Sequence, residues 1–167
     1  MAQEKAQKQN VGNAGEYYIA SRLSAINFTA TITLGRAEKY DILALSPSGR
    51  LVKISVKATQ NEKATDFPLS AKDEKGEADD FYYAFVKLNG FEKDPDFWII
   101  PSKIACPLIE KAQRKWEATP GKNGRPHSLD NTMRILPIEL RGSNKVFYPP
   151  EWENEVKTYY KNLKQLL

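Results

Sequence analysis

The stretch YDILALSPSGRLVKISVKAT, residues 40–59, decides how the rest of the chain reads. Tyr40 to Leu45 is a short apolar run, Ser46 to Gly49 (SPSG) is a turn signal, and a second run follows. So short a connection makes the two runs antiparallel neighbours. The second run alternates with a period of two. Val52, Ile54, Val56 and Ala58 share one face, and Lys53, Ser55 and Lys57 share the other. A strand with one apolar face and lysines on the other is buried on one side, or borders a polar cleft. Asp41 opens the first of these strands and Lys57 lies near the end of the second, so an acid and a base are set side by side.

Working outward, FTATITL alternates as a strand from Phe28, with Phe28, Ala30, Ile32 and Leu34 on one face. Upstream, Asn13 is placed to cap a helix from about Ala14 to Ile26, with Ile19, Ala20, Leu23 and Ile26 on its apolar face. Residues 1–12 read as a polar extension, frayed or helical. Downstream, residues 59–80 are polar and acidic around an island at Phe67 to Leu69. A connection of that length is functional, mobile, or hides a short strand. FYYAFVKL (81–88) and DFWIIP (96–101) read as buried strands joined through Asn89-Gly90. An amphipathic segment follows Ser102, and Pro107 suggests that its regular helix begins there. Thr119 to Asn131 is a Gly/Pro-rich basic loop, MRILPIEL a short edge strand limited by Pro137, and the stretch after Pro150 a closing helix. The order is α-β-β-β-β-β-α-(β)-α. It predicts an α/β (mixed α+β) fold, a single domain over residues 1–167 with a central mixed sheet of about five strands flanked by helices.

Composition bounds the function. The chain has 167 residues, of which 41% are hydrophobic and 28% charged, a globular balance. No stretch approaches the roughly 20 apolar residues of a membrane-spanning helix, and the polar N-terminus does not read as a secretory signal. One cysteine, Cys106, excludes an internal disulfide and suits a reducing compartment, the cytoplasm being the expectation. With one histidine, His127, a Cys/His zinc site within the chain is excluded too. The net charge of +4 is unevenly spread: residues 1–60 and 103–134 each carry +4, and residues 61–80 carry −4. Two basic regions around an acidic one suit a nucleic-acid surface.

Asp41, Glu16 and Lys57 form the constellation with chemistry in it. Glu16 lies on the helix face of Ala20 and Leu23, and so points at the sheet. Mg²⁺ or Mn²⁺ takes oxygen ligands, commonly one or two carboxylates with waters and a substrate phosphate. Asp41 is the central candidate, with the Val56 carbonyl and Glu16 beside it. A lysine next to such a cation orients or deprotonates water and stabilises charge developing on phosphorus. Structural roles compete: Asp41 as a strand-end cap or a partner of Lys57, Lys57 as a surface lysine, Glu16 as a complement to the helix N-terminus worth about 0.3–1 kcal/mol.

GEYYIA (15–20), YDILA (40–44) and KISVKAT (53–59), taken in order, resemble the PD-(D/E)XK nuclease superfamily, which includes restriction endonucleases and archaeal Holliday-junction resolvases. The resemblance spans roughly residues 12–100 and implies a restriction-endonuclease-like domain. It places Glu16 at the family's helix glutamate, Asp41 at its metal-binding aspartate and Lys57 at its catalytic lysine. Ser55 departs from it, standing where the family has Glu, Asp or sometimes Gln. Gln60 and Glu38 are near enough in sequence to compensate.

Two outcomes are open: a Mg²⁺- or Mn²⁺-dependent endonuclease acting on DNA, or a silent relative that binds nucleic acid or a protein partner without cutting. Lys53, Lys111, Arg114, Lys115, Lys122 and Arg125 are the candidate phosphate contacts, and the resemblance leaves a homodimer open. From a third class comes an interaction module whose acidic 61–80 segment docks a basic partner.

Overall fold

The computed structural model describes residues 7–33, 40–128 and 130–167, with Lys122 described in its backbone only. It has a mixed α/β architecture built on a five-stranded sheet. The strands are β1 (Thr29–Ile32), β2 (Ile42–Leu45), β3 (Leu51–Thr59), β5 (Phe81–Lys87) and β6 (Asp96–Pro101), in the spatial order β1-β2-β3-β5-β6. All neighbours are antiparallel except β3 and β5. The turn at Ser46–Arg50 fixes the hairpin register, with Ile42 opposite Ile54 and Leu45 opposite Leu51.

Side-chain alternation sorts the sheet into two packed faces. Tyr82, Ala84 and Val86 of β5 join Ile42, Ala44, Val52 and Ile54 beneath helix α1 (Lys8–Ser24). Phe81, Tyr83 and Phe85 join the other layer, made by helix α2 (Ser102–Ala118) and a small second sheet. That sheet pairs β4 (Asp66–Ser70) with β7 (Met133–Pro137) antiparallel. A strand buried on both faces reads as an unbroken apolar run, as FYYAFVK does.

Four expectations need correction. Helix α1 begins at Lys8 and not at Ala14, so Asn13 is inside it and caps nothing. Val11 is buried with Gly15, Ile19 and Leu23, and that packing extends the helix upstream of the cap-like residue. Glu16 therefore sits in the third turn, too far from the N-terminus for the helix dipole to hold it. Helix α2 begins at Ser102, with Pro107 inside it, because its face at Ala105, Cys106, Ile109 and Ala112 packs throughout its length. The 59–80 segment does hide a short strand, β4 at the Phe67–Leu69 island, but its partner is β7, which therefore lies outside the central sheet and is not its edge strand.

The fourth correction concerns the C-terminus. Helices α3 (Asn144–Phe147) and α4 (Trp152–Thr158) are short, and the closing helix stops at Thr158. The chain turns there to seal the open edge of β6: Ile99 N donates to the Tyr159 carbonyl at 3.1 Å and Lys161 N to the Phe97 carbonyl at 2.9 Å. Unpaired edge amides are a liability that such a cover removes.

Candidate active site at the end of the β2–β3 hairpin

Beyond Ile42 the β2–β3 ladder stops, and Asp41 takes its place with a side chain. The Asp41 backbone is held from both sides, its N–H donating to Ile54 O and its carbonyl accepting from Thr33 N, each at 2.9 Å. Lys53 N donates to Asp80 O, and Thr59 O accepts from Leu88 N. Odd-numbered residues of β3 thus turn their amides toward β5, and even-numbered ones toward β2. The Val56 N–H, which β2 no longer reaches, donates to Asp41 Oδ2 at 2.6 Å. The Val56 carbonyl lies on that same side of the strand. Ser55 Oγ donates to the same carboxylate oxygen at 3.2 Å.

Glu16 approaches from α1. The helix comes unusually close to β3 at Gly15, where a Cβ would lie 2.5 Å from Ala58 Cβ and 3.4 Å from Val56 Cγ1. Only the smallest residue allows that approach, and it brings the next residue, Glu16, down to the sheet end. Burial, and then the charge of Asp41, push the Glu16 carboxyl above the usual range. Two carboxylates from different elements therefore feel one another here.

Lys57 is half-buried on β3, in register with Phe85 and on the sheet face of Ser55. Asp41 reaches Ser55 through its side chain, and Lys57 lies two residues beyond Ser55 on the same sheet face. Lys57 forms no ion pair among the described residues. Asp41, Ser55 and Val56 are thus joined by hydrogen bonds at one strand end, and Glu16 comes near enough to feel the Asp41 charge.

The remaining candidates are elsewhere. Lys53 pairs with Asp80 at 2.9 Å and lies over the Tyr40 ring. Arg114 pairs with Glu117 at 2.6 Å and with Glu74 at 3.3 Å. Lys111 and Lys115 are exposed on α2, and Arg125 is exposed in the loop after it. The side chain of Lys122 and the whole of Glu38 lie outside the described residues. Gln60 follows β3, and its carbonyl accepts from Gly90 N at 3.0 Å. His127 stacks on Trp116 with ring centroids 3.7 Å apart. Both rings wall a concavity of about 380 Å³, and no carboxylate among the described residues lines it. Cys106 is buried, which raises its thiol.

Gly15 was missed as a functional position in the sequence. The signal was present, since a glycine inside a helical pattern marks close packing or a site.

Among the described residues no group of three or more His, Cys, Asp or Glu side chains is placed to hold a metal ion. Two carboxylates and a backbone carbonyl nevertheless suit a hard divalent cation, which takes its remaining ligands from water and substrate. The mutual repulsion of Glu16 and Asp41 is the feature such a cation would relieve.

No protein family's sequence profile matches the chain, and no curated protein matches it in sequence. Among solved structures it is similar to one described as a bacterial homing endonuclease, I-Ssp6803I. The identity is 12%, the TM-score 0.48, and the match covers 93% of this chain and 95% of the other. Membership of the PD-(D/E)XK superfamily remains a resemblance of motifs and element order. No helix among the described residues is long and apolar enough to cross a membrane.

Proposed function

We propose that this chain is a metal-dependent nuclease that hydrolyses phosphodiester bonds in DNA. The observation that supports the reading is the approach of Glu16, on α1, to Asp41, just before β2, at the strand whose polar face carries Lys57. Asp41, Glu16 and the Val56 carbonyl are the residues that would hold Mg²⁺ or Mn²⁺. Such a cation, when bound, supplies Lewis acidity at a phosphate oxygen. Lys57 orients the attacking water through its ammonium protons and stabilises the negative charge that builds on phosphorus. Lys111, Lys115 and Arg125, exposed on α2 and the loop after it, contact backbone phosphates without reading sequence.

The test is cleavage of plasmid DNA by purified protein with Mn²⁺, beside Asp41→Ala and Lys57→Ala. Each substitution should lower the rate at least about 100-fold. Equal cleavage by all three proteins refutes the reading.

Ser55 favours a second reading, in which the same fold binds DNA without cutting it. That version predicts salt-dependent DNA binding and no metal-dependent product from the wild type. The third reading, an acidic docking segment, loses support from the ion pairs. Asp80 is engaged by Lys53, Asp79 by Lys103, Glu74 by Arg134 and Glu62 by Lys93. The negative charge of residues 61–80 is thus spent largely within the chain.

A further inference from the structure

Ser55 stands where the resemblance leads one to expect a third acid. It is 5% exposed and its register partner on β5 is Tyr83, so it belongs to the floor of the site. Its hydroxyl donates to Asp41 Oδ2 at 3.2 Å, and the Val56 amide donates to that same oxygen at 2.6 Å. Both donors meet one oxygen of the carboxylate. Oδ1 accepts no hydrogen bond among the described residues.

We propose that Ser55 is a positioning residue whose hydroxyl, with the Val56 amide, clamps Oδ2 of Asp41 and leaves Oδ1 as the outward ligand oxygen. This rests on the reading of Asp41 as a metal-holding group. An acid at position 55 would set a third negative charge against Asp41, whose charge already acts on Glu16. Serine supplies a donor at the same place. It removes a ligand from the site and gives the remaining aspartate a fixed orientation, which is what partners of metal ligands commonly do.

The test uses the full chain in two forms of measurement. In metal-free protein, the ¹³C carboxyl resonance of Asp41, assigned through its loss in Asp41→Asn, is compared in wild type, Ser55→Ala and Ser55→Thr. Ser55→Ala deletes only an oxygen, so the fold survives; the resonance should move in that variant and hold its place in Ser55→Thr, which keeps the hydroxyl. Mn²⁺ binding, followed by the EPR signal of the free ion, should weaken about tenfold in Ser55→Ala and little in Ser55→Thr.

An Asp41 resonance unmoved by Ser55→Ala overturns the clamp, whether or not metal binds. Mn²⁺ affinity equal in wild type and Ser55→Ala overturns the role of the clamp in presenting Oδ1. Wild-type protein that binds no Mn²⁺ overturns the metal-centre reading and with it the ligand role of Oδ1, while the resonance still decides whether Ser55 holds Asp41.

Discussion

Gly15→Ala puts the contact that delivers Glu16 to the sheet under direct test. An alanine Cβ at this position lies 2.5 Å from Ala58 Cβ, 3.4 Å from Val56 Cγ1 and 3.8 Å from Ala58 Cα. Carbon atoms in good contact sit about 3.5–4.0 Å apart, so helix and strand must separate by roughly 1 Å. The obstructing atom is a methyl fixed to a central strand, with no rotamer to swing away. Helix propensity works the other way, favouring alanine over glycine by about 1 kcal/mol. Overpacking costs about 1–3 kcal/mol, so the net effect is a loss of up to about 2 kcal/mol. For a chain of this length that is a fall in Tm of up to about 8 °C.

Ala58→Gly removes the atom at 2.5 Å and leaves the others at ordinary distances. Alone it costs about 0.5–1 kcal/mol as a glycine in a strand. In the double variant it should recover most of the Gly15→Ala loss, giving a favourable coupling of about 1–3 kcal/mol. Urea unfolding of the four proteins measures this cycle. Gly15→Ala more stable than the parent by its propensity increment, with coupling below about 0.5 kcal/mol, would show that α1 does not rest on β3 at this point. The placement of Glu16 would fall with it.

Glu16→Gln tests the pair of carboxylates. Folding raises the Glu16 carboxyl through burial first and Asp41 second, so the folded state binds this proton more tightly than the unfolded one. Stability is then full below the ordinary carboxylate range and declines as pH rises through the folded value. The variant should exceed the parent in stability at neutral pH and match it in acid, as read from urea midpoints across about pH 3–8; a parent whose stability does not fall relative to the variant across that range refutes the coupling. Glu74→Ala leaves the buried Arg134 guanidinium without its carboxylate and should cost about 3–5 kcal/mol, with Glu74→Leu/Arg134→Met recovering most of it. A loss below about 1 kcal/mol would mean the pair is solvated. Asp41→Asn keeps an oxygen for the Val56 amide, whereas Asp41→Ala leaves that amide unsatisfied at about 1–3 kcal/mol. Both should abolish Mn²⁺-dependent cleavage, and only Ala should lower the urea midpoint markedly.

How far the sequence could be read depended on how local the deciding contacts were. The hairpin was legible because a four-residue turn and a strict alternation determine register together. The register sets Ile42 opposite Ile54, and the period of two puts Ser55 and Lys57 on one face. The five-stranded sheet followed from apolar runs bounded by Gly, Pro and Asn. Strand β4 was open as a reading at the Phe67–Leu69 island, but its pairing was not, because its partner β7 is more than sixty residues away. The closing helix was overextended because Tyr159, Leu163 and Leu166 keep a helical spacing while serving other ends. Leu163 and Leu166 pack under the sheet, and Lys161 takes φ +50° as the chain bends to pair with β6. Asn13 misled because a good capping residue carries no information about a core contact at Val11, on the preceding turn.

Ser55 looked like a lost ligand because the sequence compares residue types and is silent on direction. The structure makes it a donor to Asp41, a carboxylate whose backbone is held by two strands. Asp41 is consequently structural in that hydrogen bond: its Oδ2 completes the ladder that β2 abandons, and Oδ1 has no donor among the described residues. A residue so placed is expensive to lose for the fold itself, because the Val56 amide needs it whether or not a cation is ever held. An aspartate at this strand end is therefore no proof of catalysis. The discriminating residue is Lys57, for which the described structure shows no ion pair, so that Lys57→Ala separates loss of cleavage from loss of a structural contact.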